Sequence, residues 1–156
     1  MNIRRARRED YAALAGITAS HDIIPSWSEA MFIKEEENSH AVTLVAEIDG
    51  RQAGFINFWV LRPETEINMI AVSLLFLRRK VASSLMKKMR EYAKKSLCKS
   101  IILDVRADNS AAISFYEKEG FLIEGKRPKF YNDKYDAMLM RADVVPQNGS
   151  RPENSI

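Results

Sequence analysis

The sequence has little cysteine, little histidine and no long apolar run. Its 156 residues include one cysteine, Cys98, and two histidines. One cysteine cannot form an intramolecular disulfide, and there is no His/Cys cluster of the kind that binds zinc. No stretch approaches 18 apolar residues, and the N-terminal MNIRRARRED lacks the apolar segment of a secretion signal. We therefore expect a soluble protein of the reducing cytoplasm, with no membrane partner.

Neither sign of charge is in large excess. Lys and Arg number 24 against 21 Asp and Glu, which gives a net charge of +3, and 46% of the residues are hydrophobic. So mild a basic balance gives no reason to expect a nucleic-acid partner. The apolar fraction and the length suit a single domain with a real core.

Hydrophobic periodicity predicts strands and helices in alternation. Strands are predicted over 3–5, 41–48, 54–61, 66–72 and 100–107, followed by a closing hairpin that ends near residue 140. Helices are predicted over 10–20, 27–36, 83–97 and 109–119. This order predicts one mixed α/β (α+β) domain over 1–145, with a central sheet flanked by helices. The polar segment 146–156 has almost nothing to bury, and we expect it to be disordered.

The segment FLRRKVASSLM (76–86) connects a predicted strand to a predicted helix. Arg78, Arg79 and Lys80 are successive cations at the start of that helix, where they oppose the positive end of the helix dipole. Helix N-termini bind phosphate groups through free backbone N–H groups, so an anionic ligand would relieve this repulsion. A solvated basic turn without a ligand is the alternative.

A second strand-to-helix junction lies in LDVRADNSAAISFYEKEGF (103–121). Asp104 is a carboxylate in an otherwise apolar strand, which is costly to bury unless it is paired or used. Tyr116 lies about two helical turns after Asn109 and projects along roughly the same face. The alternatives are that Asp104 meets water at the strand end and that Tyr116 is an ordinary core aromatic.

Taken together, these segments resemble the GNAT family of acyl-CoA-dependent N-acetyltransferases. Within it, the chain is most similar to the ribosomal-protein alanine N-acetyltransferases (RimI type) and the archaeal N-terminal acetyltransferases. The resemblance runs in order over about residues 3–141. It is carried by IPSWSEAMF (24–32), EINMIAV (66–72), the two junction segments and EGKRPKFYNDKYDAMLM (124–140). It implies the single-domain GNAT fold.

The resemblance implies acetyl-CoA as co-substrate and no metal. Acetyl-CoA would bind to backbone groups of Ile70, Ala71 and Val72, and Asn109 would help to hold its pantetheine arm. The implied pyrophosphate loop consists of Arg78, Arg79, Lys80, Val81, Ala82 and Ser83. The family pattern Q/R-x-x-G-x-G/A, aligned without gaps, places Lys80 where the family has glycine. A second alignment, with one residue deleted, instead places the missing glycine after Lys80. We expect this departure to weaken acetyl-CoA binding.

The resemblance also implies the catalytic roles. Tyr116 would protonate the departing thiolate, and Asp104 stands where the RimI type has a glutamate base. Glu66 is a second candidate for the base. Trp27, Phe130 and Tyr131 would form the peptide groove.

The implied reaction is acetyl transfer to the α-amino group of a protein N-terminus, in the first place a ribosomal-protein alanine. Acidic residues near the site would suit such a basic N-terminus, with Glu35, Glu36 and Glu37 as candidates beside a plain solvated helix face. A GNAT acting on a small-molecule amine and a weak acyl-CoA-binding module are the rival hypotheses.

Overall fold

A computed structural model of the chain describes residues 1–131 and 133–145, so the predicted tail 146–156 lies outside the described residues. The strands are β1 Asn2–Arg5, β2 Ala41–Ile48, β3 Arg51–Leu61, β4 Glu64–Val72, β5 Ser100–Arg106, β6 Leu122–Tyr131 and β7 Tyr135–Asp143. The helices are α1 Tyr11–Ala19, α2 Glu29–Glu35, α3 Val81–Lys95 and α4 Ser110–Lys118. Short 3₁₀ turns occupy Arg8–Asp10 and Leu74–Phe76. None of the helices in this described part is long and apolar enough to cross a membrane.

The strands form one mixed sheet in the order β1-β2-β3-β4-β5-β7-β6. The β4–β5 pair is parallel, and the other neighbouring pairs of the sheet are antiparallel. The parallel ladder joins Glu64–Ile67 to Ser100–Leu103 and ends there, although β4 continues to Val72 and β5 to Arg106. The two strands therefore diverge toward their carboxyl ends, which is where open α/β sheets bind ligands.

Each face of the sheet buries a separate apolar core. The larger core includes buried residues of α3, such as Leu85 and Met89, together with residues of β2 to β5. The smaller one joins Leu14 of α1 and Phe32 of α2 to Phe55 of β3. The helices thus cover both faces, as the mixed α/β prediction requires.

Gly54 in β3 sets how closely α3 approaches the sheet. A Cβ at this position would lie 2.8 Å from the Ala71 carbonyl oxygen and 2.9 Å from Val81 Cγ1. Such distances are sterically forbidden, so glycine permits the first residue of α3 to pack against β3 and β4. The N-terminus of α3 is thereby held next to the diverging end of β4.

The predicted elements are all present, and the differences lie at their ends. Helix α2 begins at Glu29 rather than at residue 27, because the Ser28 hydroxyl accepts a hydrogen bond from Met31 N–H and caps the helix. Strand β3 begins three residues earlier than predicted. The Asp49-Gly50 turn has positive φ at both residues, 49° and 73°, as a tight hairpin turn requires.

Candidate active site

A cavity of about 380 Å³ opens between the diverging ends of β4 and β5. Its walls are formed by 67–72 of β4, 103–106 of β5, one face of α4 and the connection between α1 and α2. Most of the lining side chains are apolar, and a few polar groups converge on it, among them Asp104 and Tyr116. This composition is typical of a small-molecule site.

The edge of β4 that faces the cavity carries free backbone groups. Ser73 N–H donates to Ala53 of β3, and successive residues of a strand direct their backbone groups to alternate edges. The backbone groups of Val72 and Ile70 therefore face away from β3, toward the cavity, whereas Ala71 faces β3 opposite Phe55. Ile70 and Val72 can thus pair with an extended ligand that lies along β4. Ala71 lines the cavity, but its backbone groups pair with β3.

The Val72 carbonyl on this edge is already hydrogen-bonded to a side chain. The His21 Nε2 atom lies 2.7 Å from the Val72 carbonyl oxygen. Because a carbonyl only accepts, His21 carries its proton on Nε2 and donates it to Val72. The histidine thereby fixes the connection that follows α1 to the open edge of β4.

The segment before α3 forms a turn whose conformation suits an anion. Arg78 and Lys80 are both left-handed, with φ of 62° and 61°, and Lys80 is the N-cap of α3. The next three N–H groups, of Val81, Ala82 and Ser83, belong to the first helical turn, where the helix itself offers no acceptor. The left-handed backbone at Lys80 agrees with the gap-free alignment, which assigns the family glycine to this position.

The side chains of this turn leave the cationic groups in solvent. Arg78, Arg79 and Lys80 are exposed, and within residues 1–131 and 133–145 none of them is paired with a carboxylate. The Arg79 guanidinium lies over the Phe76 ring, 5.7 Å from its centroid. Val81 is buried, and Ala82 lines the adjoining end of the cavity.

Asp104 is the acidic group of the cavity. Its Oδ1 atom is buried and accepts no hydrogen bond among the described residues, and the Arg127 Nε atom lies 3.8 Å away. Burial raises the pKa of Asp104, and the charge of Arg127 offsets part of that rise. An unsatisfied carboxylate in a cavity is suited to bind a donor such as an amine or a water molecule.

Glu66 stands one residue before the wall of the cavity. Burial raises the pKa of Glu66, and the neighbouring charge of Asp104 raises it further. The two carboxylates are therefore close enough to interact, although Asp104 alone lines the cavity.

Tyr116 and Asn109 reach the cavity from α4. Tyr116 is 7% exposed and packs edge-on against Phe121. Burial and the nearby Tyr131 raise the pKa of Tyr116, so its phenol stays protonated at neutral pH. The Asn109 side-chain oxygen accepts a hydrogen bond from Ala112 N–H and caps α4, which leaves its amide N–H₂ available.

Of the three residues predicted for the peptide groove, one lines the cavity. Tyr131 does so, and burial together with the Asp104 charge raises its pKa to about 12. Trp27 instead packs on Phe32 and Phe55 in the smaller core, and Phe130 is 44% exposed outside the cavity wall.

The acidic run at the end of α2 is engaged inside the molecule. One Glu35 carboxylate oxygen accepts hydrogen bonds from Asn57 and Trp59. Glu36 pairs with Arg8 and accepts from the Tyr11 hydroxyl. These two groups hold α2 in place rather than standing free for a substrate. None of Glu35, Glu36 and Glu37 lines the cavity, so the run does not provide the acidic site that the sequence suggested.

Sequence reasoning missed His21, Asn68 and Arg127 at the site. His21 has no motif around it, and its contact depends on where α1 ends. Arg127 lies on a strand that has no helical or alternating pattern to orient it. Asn68 is the extra residue of a bulge in β4, and nothing in the neighbouring sequence predicts that bulge.

Comparison with known proteins identifies the family of the chain. The model of the acetyltransferase (GNAT) family matches residues 3–121. A ribosomal-protein alanine N-acetyltransferase of Bacillus subtilis is 29% identical over 139 residues, which cover 88% of this chain and 92% of that protein. An L-amino acid N-acetyltransferase of Escherichia coli is 32% identical over 140 residues, with 82% and 86% covered. The crystal structure of Ard1 from Thermoplasma volcanium superposes with a TM-score of 0.83 at 28% identity, with 92% and 97% covered.

Proposed function

Because this chain belongs to the acetyltransferase (GNAT) family and is an acetyl-CoA-dependent N-acetyltransferase, we propose that its acceptor is the α-amino group of a protein N-terminus. A ribosomal-protein alanine is the first candidate, since that is the named substrate of the Bacillus subtilis relative. The observation that carries the proposal is the buried Asp104 Oδ1 atom where β4 and β5 diverge, which accepts no hydrogen bond from the described residues. We assign the activity to a domain that spans residues 1–145.

The described residues fit acetyl-CoA at three places. The first turn of α3 and the cations Arg78, Arg79 and Lys80 would hold the pyrophosphate. The N–H and C=O groups of Ile70 and the N–H group of Val72 would pair with the pantetheine amides, and the Asn109 amide N–H₂ would donate to the same arm. Bound acetyl-CoA supplies the activated thioester.

Asp104 is the proposed base. A free α-amino group has a pKa of about 7.7–8.0, so most of it is protonated at pH 7 and must lose a proton before it attacks. Asp104 can take that proton directly or through a water molecule, because its Oδ1 has no other hydrogen-bond partner among the described residues. Glu66 would support the same end of the site by its negative charge, or replace Asp104 as base.

Tyr116 is the proposed acid. Its phenol remains protonated because burial raises its pKa, and it lines the cavity that also contains Asp104. It can therefore donate a proton to the departing thiolate, while Asp104 accepts one from the amine. The two groups then perform opposite proton transfers at one site.

One observation favours a second acceptor class, a free amino acid. The L-amino acid N-acetyltransferase of Escherichia coli shares 32% identity with this chain. Arg127 lies next to Asp104, where it could bind the carboxylate that a free amino acid has and a peptide N-terminus lacks. Family membership, in contrast, favours either enzyme over a mere acyl-CoA-binding module.

The test is release of free thiol from acetyl-CoA with three kinds of acceptor. These are a basic peptide that begins with alanine, the same peptide with its α-amino group blocked, and a panel of free L-amino acids. We expect turnover with the first peptide, none with the blocked one and slower turnover with the amino acids. Faster turnover of a free amino acid than of the peptide would overturn the proposed acceptor.

A further inference from the structure

Strand β4 contains a bulge at the point where it leaves β5. Asn57 of β3 pairs with Met69, and Phe58 pairs with Ile67, so Asn68 is an extra residue without a partner on β3. The parallel pairing with β5 ends at Ile67, directly before it. Ile67 belongs to the larger core and Met69 to the smaller one, on opposite faces, although residues two apart in a regular strand share a face. The bulge therefore reorients the part of β4 after Asn68 that lines the cavity.

A series of side-chain hydrogen bonds connects this bulge to β3, β2 and α2. The Asn68 Nδ2 atom donates to Asn57 Oδ1 at 2.9 Å. The Asn57 Nδ2 atom donates to Glu35 Oε1 at 3.0 Å and to Thr43 Oγ1 at 2.9 Å. Glu35 lies at the end of α2 and accepts a further bond from Trp59 at 2.8 Å. The series thus connects α2, through β3, to the bulge in the cavity wall.

Chemistry fixes the direction of these bonds. A carboxylate only accepts, so Asn57 must turn its N–H₂ group toward Glu35. Its oxygen is then left facing Asn68, which must donate. Asn57 is fully buried, so each of these bonds would be costly to leave unmade. Glu35 therefore determines the orientation of Asn57, and Asn57 in turn determines where Asn68 lies.

We propose that Glu35, Asn57 and Asn68 form a positioning relay that holds the β4 bulge and so places the cavity-lining backbone for acetyl transfer. The proposal rests on the proposed function of the same site. The three side chains act through the backbone after Asn68, which includes the free groups of Ile70. Displacing such groups by about 1 Å is enough to cost a reaction about 100-fold in rate. Through these hydrogen bonds, α2 is connected to the wall of the cavity.

The variants that test the relay are Asn68→Ala, Glu35→Ala and Glu35→Gln, with Glu37→Ala as the control. Asn68→Ala removes the last bond of the relay. Glu35→Ala leaves Asn57 and Trp59 without their acceptor, whereas Glu35→Gln keeps an oxygen at that place and removes the charge. Glu37→Ala removes a neighbouring exposed charge outside the relay.

The expected result is a fall in kcat that exceeds any change in acceptor KM. Asn68→Ala and Glu35→Ala should each lower kcat about 10- to 100-fold, while acceptor KM changes less than about threefold. Glu35→Gln and Glu37→Ala should stay within about threefold of the wild type. The double variant Glu35→Ala/Asn68→Ala should lose no more than Asn68→Ala alone, because both changes break one relay. The pH profile should keep its apparent pKa values, since Asp104 and Glu66 are untouched.

Hydrogen exchange provides a readout that needs no acceptor. Amides of residues 66–70 should exchange faster in Asn68→Ala and Glu35→Ala than in the wild type or Glu35→Gln. If the wild type acetylates none of the acceptors, the proposed function fails and exchange alone decides on the relay. Unchanged kcat in Asn68→Ala, additive losses in the double variant, or unchanged exchange at 66–70 would each overturn the relay.

Discussion

At the scale of single residues, burial raises the pKa of both proposed proton-transfer groups, with different consequences. For Asp104 it makes the carboxylate a stronger base than an exposed aspartate, and for Tyr116 it preserves the proton that the thiolate needs. The proposed roles of Asp104 and Tyr116 come from the family resemblance, but the two residues were predictable as candidates, because a carboxylate in an apolar strand and a tyrosine two helical turns after Asn109 stand out. Their partners were not, because Arg127 and Tyr131 meet Asp104 only through the pairing of β5, β6 and β7.

Replacing Asp104 tests the base, and we expect it to lower activity while raising stability. Asp104→Asn should lower kcat/KM at pH 7 about 100-fold, as expected for loss of a general base. Its folded pKa is raised, so the wild type loses stability as pH rises through the unfolded value of about 3.9 toward the folded one. The Asn variant should therefore be more stable than the wild type at pH 7, and the difference should shrink toward pH 4. Urea unfolding at the two pH values measures this.

Two further variants provide the comparison for Asp104→Asn. Asp108→Asn changes an exposed carboxylate that pairs with Arg106, and it should leave kcat/KM within about threefold of the wild type. Glu66→Gln separates the two candidate bases. A larger loss in Glu66→Gln than in Asp104→Asn would assign the base to Glu66 instead.

Replacing Tyr116 tests the acid. Tyr116→Phe should lower kcat about 10- to 100-fold and leave the acetyl-CoA Kd nearly unchanged, because only the phenol oxygen is removed from a packed ring. The free energy of unfolding should change by less than about 1 kcal/mol. Stopped-flow measurement of thiol release together with titration of acetyl-CoA checks both. Full activity in Tyr116→Phe would show that Tyr116 is not the acid that protonates the thiolate.

At the scale of elements, the site lies where the ends of two strands meet two helices. The diverging ends of β4 and β5 provide the walls, the N-terminus of α3 provides N–H groups, and α4 directs Tyr116 inward. The periodicity of apolar residues is enough to predict these elements, because each has one buried and one exposed face. The bulge at Asn68 and the start of α3 could not be predicted, since they depend on the pairing with β3 and on the close approach at Gly54.

Lys80 tests the altered turn before α3. A left-handed backbone costs a non-glycine residue about 1–2 kcal/mol, and glycine avoids this cost. About 0.5–1 kcal/mol of the benefit is lost again, because glycine makes the unfolded chain more flexible. Lys80→Gly should therefore stabilise the fold by about 0.5–1 kcal/mol in urea unfolding. Lys80→Ala removes the same charge without freeing the backbone and serves as the matched control.

The same pair of variants tests the binding of acetyl-CoA. If the Cβ atom of Lys80 limits the approach of phosphate to the backbone, Lys80→Gly should bind acetyl-CoA more tightly than the wild type and Lys80→Ala should not. Isothermal titration measures the three dissociation constants. Equal affinity of Lys80→Gly and the wild type would show that this position does not limit binding.

At the scale of the whole molecule, one arginine connects the last elements of the fold. The Arg90 guanidinium of α3 donates to the carbonyls of Asp143 and Val144 after β7 and to that of Glu119 at the end of α4. It also lies over the Phe121 ring, 5.7 Å from the centroid. The single-domain prediction from length and composition agrees with this arrangement, but the arginine itself carries no signal in the sequence because amphipathic helices commonly have one at such a place.

Replacing Arg90 should destabilise the fold without touching the site. Arg90→Met keeps most of the packing of the side chain and leaves three carbonyls without their donor, which should cost about 2–4 kcal/mol. Lys87→Met, an exposed position on the same helix, should change the free energy of unfolding by less than about 0.5 kcal/mol. Thermal and urea unfolding compare the two, and equal stabilities would contradict the proposed role of Arg90.

The proposed function requires the site between β4 and β5 to transfer an acetyl group from acetyl-CoA to the α-amino group of a protein N-terminus. Tandem mass spectrometry tests this on a peptide that begins with alanine and contains an internal lysine, after incubation with the protein and acetyl-CoA. We expect one added acetyl group on the alanine α-nitrogen with the wild type and its loss with the variant Asp104→Asn/Tyr116→Phe. Acetylation of the lysine ε-nitrogen would contradict the proposed function. So would an unmodified peptide if free amino acids are acetylated under the same conditions.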